Sequence, residues 1–282
     1  NTSLHTLELQ YDITLIENIY DIDDDIIKMY GAVCKMIKKN KTLESITFHG
    51  KVYSNLVFLK GFANALKENQ SINSISFGAE NMKIEECKFI CEKFAMNEKI
   101  AHFGLTSGPF GVEECKEISV LLRNSKTLKS INLTSNNIED EDSQVLALGF
   151  KENNTLEVLN LGHCWIGNQG VTYLFQGLMS NNSLQKLFLK NNNLDDKACE
   201  TISLFLKKNK TLKVLNLDSN RIGSKGCGFL SEVLEINTSL EELYLNGNGF
   251  GDKGCEFLSG FLEKNNTLTV LELRNNEIWS DG

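Results

Sequence analysis

Apolar residues in this chain recur in a fixed frame. The strings TLKSINLTSNNI from Thr127, TLEVLNLGHCWI from Thr155, SLQKLFLKNNNL from Ser183, TLKVLNLDSNRI from Thr211, SLEELYLNGNGF from Ser239 and TLTVLELRNNEI from Thr267 share the pattern L-x-x-L-x-L-x-x-N-x-I. Its first Leu falls at Leu128, Leu156, Leu184, Leu212, Leu240 and Leu268, always 28 residues apart. Degenerate copies precede these. They begin at Leu4 (with Leu7 and Leu9), Leu43 (with Ile46 and Phe48), Ile72 (with Ile75 and Phe77) and Ile100 (with Phe103 and Leu105). The spacing is strict from Ile72 onward, 29 between Leu43 and Ile72, and 39 between Leu4 and Leu43.

Within each copy the L-x-L core alternates inward and outward side chains, which predicts a short strand. The Asn at the ninth place predicts a turn whose backbone groups it satisfies, because buried loop amides cannot stay unpaired. The second half reads as helix. Val171, Leu174, Phe175 and Leu178 lie on one face at i, i+3, i+4, i+7 spacing, and Cys255, Leu258 and Leu262 repeat that face three copies later. Asn-containing tails such as Asn181–Asn182 and Asn265–Asn266 end each helix. One strand plus one helix cannot bury both apolar faces, whereas stacked neighbours can.

This frame and period resemble the leucine-rich repeats of the ribonuclease-inhibitor class, across essentially the whole chain and most closely from Leu128 onward. The resemblance implies an α/β fold: a leucine-rich-repeat solenoid, or horseshoe, with parallel strands on the concave face and helices on the convex face. It implies one domain, 1–282, of about ten repeats. The chain opens on Asn1-Thr2-Ser3, which matches a helix tail such as Asn237-Thr238-Ser239, and stops at Gly282, the place held by Gly170, Gly226 and Gly254. The expectation is a natural protein that continues beyond at least one end. Members of the class include enzyme inhibitors, GTPase activators, immune sensors and actin-related caps, so the resemblance specifies fold far more than function.

Charge narrows the partners. With 37 acidic and 29 basic residues the formal net charge is −8, which argues against a general nucleic-acid binder. Only Arg123, Arg221 and Arg274 offer a forked guanidinium. No stretch approaches about 18 uninterrupted apolar residues, so no membrane span is expected. The first ten residues carry no basic or apolar leader pattern. The extra residues between the first two copies form an irregular acidic insertion near 15–40 with Asp21, Asp23, Asp24 and Asp25. It fails the EF-hand template, since Ile26 and Ala32 stand where Gly and Glu are needed. It reads instead as the acidic start of a helix from about Ile26 to Lys39.

Cys87, Cys115, Cys199, Cys227 and Cys255 share one repeat position at the start of the convex helix. Equivalent helices stack about 8–10 Å apart, too far for disulfides. Free thiols suggest a reducing, cytoplasmic compartment, or the host cytosol for a bacterial effector. Cys164 takes the Asn slot. His5, His49, His102 and His163 fall in different repeats without zinc spacing. The sequons at Asn153, Asn181, Asn209, Asn237 and Asn265 recur every 28 residues as turn chemistry. No cofactor motif is present.

The outward strand positions form the candidate binding wall. Its early copies are small and polar (Ser45, Thr47, His49, Ser74, Ser76, Gly78, His102, Gly104, Thr106). Its later copies are aromatic and charged. The predicted partner-binding residues are Trp165, Lys186, Phe188, Lys190, Asp218, Tyr244, Glu272 and Arg274, with Trp165 and Trp279 at the rim. The wall is of mixed sign, and neither the cysteine density nor the acidic wall of the ribonuclease inhibitor is matched. The expected function is a non-enzymatic scaffold that binds a partner protein on its concave face, as an inhibitor of an enzyme in one form. The alternatives are a GTPase activator using Arg221, and a ligand-sensing segment of a larger receptor. Neither nucleic acid nor membrane is an expected partner.

Overall fold

The computed structural model describes residues 4–10, 24–50, 56–80 and 82–279. Ten strands alternate with nine helices along these residues: β1 (Thr6–Gln10), α1 (Asp24–Lys39), β2 (Ser45–His49), α2 (Leu56–Glu68), β3 (Ser74–Gly78), α3 (Ile84–Ala95), β4 (His102–Thr106), α4 (Val112–Asn124), β5 (Ser130–Asn132) and α5 (Asp140–Glu152). They continue as β6 (Val158–Asn160), α6 (Asn168–Leu178), β7 (Lys186–Phe188), α7 (Asp196–Lys208), β8 (Val214–Asn216), α8 (Ser224–Leu234), β9 (Glu242–Tyr244), α9 (Gly251–Leu262) and β10 (Val270–Glu272). The strands form a single parallel sheet in chain order. Register is set by the repeat, so Leu187 stands opposite Leu215 and Leu215 opposite Leu243. Helices need about 8–10 Å between axes and strands about 4.8 Å, so each coil takes up more length on its helix side than on its strand side.

The inner Leu positions are fully buried, including Leu159, Leu187, Leu215 and Leu243, each at 1% exposure or less. In the first coils aromatic rings fill the same space. Phe48 stacks on Phe77 at 5.0 Å between centroids, and Phe58 and Phe62 meet Phe48 edge-on. Leu262, expected on a buried face, is 54% exposed, because α9 is the last described helix and packs on one side only. Helix α1 begins at Asp24, so Asp24 and Asp25 sit in its first turn where the helix dipole favours them. Asp21 and Asp23 lie outside the described residues.

Two asparagine ladders close the backbone polar groups. After the strands, Asn220 Nδ2 donates to Leu217 O in its own coil (2.9 Å) and to Leu189 O in the preceding coil (3.0 Å). Asn136, Asn192, Asn248 and Asn276 repeat both bonds. Cys164 substitutes thiol contacts, to Leu133 O across the coils at 3.4 Å and to Gly162 O in its own coil at 3.7 Å. At the helix tails, Asn181 Oδ1 accepts from Ser183 N and Leu184 N, while its Nδ2 donates to Asn153 O. Asn153, Asn237 and Asn265 repeat the bonds within the coil and donate across coils to Leu122 O, Leu206 O and Leu234 O. The recurrent sequons are therefore buried backbone clamps, with Asn153, Asn181 and Asn237 each 2% exposed.

The helix starts are capped in two ways. In α3, α4 and α5 the third helical residue reaches back to its own N-cap: Glu86 to Lys83 N, Glu114 to Gly111 N and Asp142 to Glu139 N. In α6 and α8 that place is Gly170 or Gly226, and the carboxylate comes from the coil before. Asp140 Oδ1 accepts from Gly167 N (2.7 Å) and Gly170 N (2.9 Å). Asp196 Oδ1 accepts from Gly223 N and Gly226 N, both at 2.8 Å. A Cβ at Gly226 would lie 2.8 Å from that oxygen, so the glycine makes room for the borrowed cap.

Candidate functional site

The outward strand positions form rows across the sheet. In the later coils the middle row reads Asn160, Phe188, Asn216, Tyr244, Glu272, each opposite the next in register. Phe188 and Tyr244 are thus two strands apart, about 10 Å, with Asn216 between them. Both are half-buried. Tyr244 Oη donates to Glu242 Oε2 at 2.7 Å, and that bond raises the phenol's ionisation above its usual range.

Three of the predicted residues, Asp218, Glu272 and Arg274, join one hydrogen-bonded web with Asn216 and Asn246. Asn216 Nδ2 donates to Asp218 Oδ2 (3.1 Å), and Asp218 Oδ1 accepts from Asn246 N (2.7 Å). Asn246 Nδ2 donates to Glu272 Oε2 (3.3 Å), and its Oδ1 accepts from Arg274 N (2.7 Å). Arg274 Nε lies 3.7 Å from Glu272 Oε2, with the Arg side chain 80% exposed. The web alters the expected role of Asp218. It is 8% exposed and orders the neighbouring strand ends, rather than standing free as a surface charge. Val214, on an outward position of the repeat frame, is nevertheless only 4% exposed between Lys186 and Glu242. The linking amides Asn216 and Asn246 were not singled out, because the repeat frame marks only alternation and not which amides bridge strands.

Lys186 and Lys190 are exposed on either side of Phe188. Trp165 projects at 61% exposure from the loop after β6, where its backbone N–H donates to Ile138 O. Trp279 is 73% exposed, its N–H held by Asp252 Oδ1 at 2.9 Å. Arg221 is exposed in the loop after β8. By contrast the early wall holds small side chains and two His–Glu contacts, His49–Glu8 at 2.6 Å and His5–Glu44 at 3.3 Å.

All eight cysteines are free thiols. Burial pushes Cys164 up to about 11 and Cys227 to about 12, and raises Cys115 further, so these thiols are poor nucleophiles at neutral pH. His163 Nδ1 is 3.0 Å from Asn191 Nδ2, an exposed contact away from the buried Cys164 sulfur's carbonyl partners. No described helix is long and apolar enough to cross a membrane.

The Leucine Rich repeat family profile matches residues 124–147, 152–175, 208–231, 237–259 and 264–282. No curated protein sequence matches the chain. Among solved structures, it is similar to leiomodin-1 actin-binding site 2, with 19% identity over 55% of this chain and 86% of that one, TM-score 0.42. It is similar to the tropomodulin C-terminal domain of Caenorhabditis elegans, with 16% identity over 55% and 93%, TM-score 0.46. It is also similar to an internalin of Listeria monocytogenes, with 17% identity over 88% and 71%, TM-score 0.48. The 28-residue frame, the sequential parallel sheet, the asparagine ladders and the matched repeats together make this chain a leucine-rich-repeat protein.

Proposed function

We propose that the protein is a non-enzymatic scaffold of the ribonuclease-inhibitor class that holds a partner protein on the strand face of β7 to β10. The observation that carries this reading is the pair Phe188 and Tyr244. Both point away from the core, both are partly exposed, and sheet bonds hold their backbone, Phe188 O accepting from Leu161 N and Tyr244 O from Leu217 N, each at 2.9 Å. Rigid aromatics on an ordered platform lose little entropy on binding and make effective anchors. Such a scaffold acts by occlusion, and where its partner is an enzyme it inhibits. The eight free thiols favour a cytosolic setting.

The test is an affinity capture from cytosolic lysate with the wild type and a Phe188→Ala/Tyr244→Ala variant. A partner captured by the wild type and weakened by at least about 1 kcal/mol for each ring places binding on this wall. A partner retained by both proteins moves binding elsewhere.

A further inference from the structure

By residue count the wall is electrically balanced, yet its charges are unequally committed. Glu242 accepts from Tyr244, Glu272 from Asn246, and Asp218 from two donors while largely buried. Just before the strands, Glu157 and Glu241 are paired with Lys129 and Lys213 at 2.7 and 2.9 Å. Lys186 and Lys190 differ. Both are exposed, and among the described residues neither ammonium has an ion-pair partner within 4.0 Å. Among the described residues they are the only lysines on the outward positions of the repeat frame; Lys186 opens β7 and Lys190 lies two residues past its end. Phe188 stands between them on the same face. The backbone past Phe188 stays bonded to both neighbouring coils, Leu189 N to Asn216 O and His163 N to Lys190 O, so at an extended rise of about 3.3 Å per residue the order from Lys186 to Lys190 is cation, aromatic, cation at steps of about 6.6 Å.

We propose that β7 selects an extended protein segment with two carboxylates flanking an apolar side chain, in the order acid-x-apolar-x-acid. This rests on the reading of the strand face as the binding wall and names the partner's chemistry. Side chains on one face of an extended segment repeat at the same step as those of β7. One apolar group can therefore cover Phe188 while each acid meets a lysine. Neither lysine must first break an ion pair, whereas a cationic partner at the C-terminal end would have to displace Asn246, Tyr244 or Arg274 from their carboxylates.

The test is fluorescence anisotropy on the full chain with three labelled peptides. One carries Glu-Ser-Leu-Ser-Glu, one Lys-Ser-Leu-Ser-Lys, and one the first composition with its two Glu adjacent. A single-stranded oligonucleotide serves as a fourth probe. The spaced acidic peptide should bind saturably and at least tenfold tighter than the other peptides. That affinity should fall at least tenfold in Lys186→Glu/Lys190→Glu and severalfold in Lys186→Gln/Lys190→Gln, with the circular dichroism spectrum unchanged. If either variant fails to fold, the selectivity of the wild type among the three peptides decides. Equal binding of acidic and basic peptides, insensitivity to both variants, no saturable acidic binding, or preference for the oligonucleotide would overturn the proposal. A captured partner that depends on Phe188 and Tyr244 but not on the lysines would leave the scaffold reading intact and remove only this one.

Discussion

Seven consecutive coils place a residue of left-handed backbone at the same point after the strand: Ser107, Ser135, His163, Asn191, Ser219, Gly247 and Asn275, with φ between 53° and 68°. Only Gly247 adopts this conformation without a Cβ penalty. Gly247→Ala should cost about 1 kcal/mol, read from urea denaturation. Its new Cβ meets Ser219 only at ordinary contact distance, so backbone conformation alone sets the loss. Asn220 is a larger stake. Asn220→Ala removes the Nδ2 contacts to Leu189 O, Leu217 O and Asp218 O and orphans Asn192 N and Leu194 N, which both bond its Oδ1. A loss of about 2–4 kcal/mol is expected. A third residue-scale prediction concerns pH. Burial raises the ionisation of Asp142 above the usual carboxylate range. The folded protein then holds that proton more tightly than the unfolded chain. The associated stability is fully present below the unfolded pKa and is lost as pH rises through the folded one. Wild type should therefore gain stability relative to Asp142→Asn as pH falls from 7 toward 4. A denaturation-midpoint gap that stays constant over this range would contradict it. At this scale the Leu and Asn positions of the frame were legible, because burial and turn geometry demand those residue types. The left-handed site was not, because Ser, His, Asn and Gly share no side-chain chemistry.

Between elements, the two capping schemes make different demands. Asp196→Ala should destabilise the protein by about 1–2 kcal/mol, through α8 and not through the helix that carries the residue. Hydrogen exchange of the Gly223 and Gly226 amides should rise, while α7 amides stay protected. Glu113→Ala removes only an exposed pair with Lys116, so its effect should stay within about 0.5 kcal/mol. The helices themselves were readable from 3.6-residue periodicity. The borrowed caps were not, because donor and carboxylate lie 27 and 30 residues apart and pair only once coils stack. The same reason hid the role of Asp218, whose partners lie on its own strand and the next.

For the whole molecule, each coil contacts its neighbours and little else, so damage should remain local. Exchange mapped across Asn220→Ala should loosen β7 and β8 and leave β2 and β3 unchanged. A uniform loss of protection would instead mean that the solenoid unfolds as one unit. The fold was legible at this scale from period alone, including the early coils, where the family profile does not match. There Phe48, Phe77 and Phe103 replace Leu and pack as rings, which preserves inward burial while erasing the Leu signature. The wall was legible as a row of outward positions. Its polarity was not, because that depends on which carboxylates are already bonded.

The borrowed caps also bear on how such a chain can change length. Asp140, Asp196 and Asp252 recur on every second coil, and each serves the coil that follows. A coil whose helix carries its own carboxylate, such as the one ending in α4, can be duplicated singly and bring its cap along. A coil that starts on Gly167 or Gly223 cannot. In this part of the chain the inheritable module is the pair, and viable insertions or deletions should come in twos.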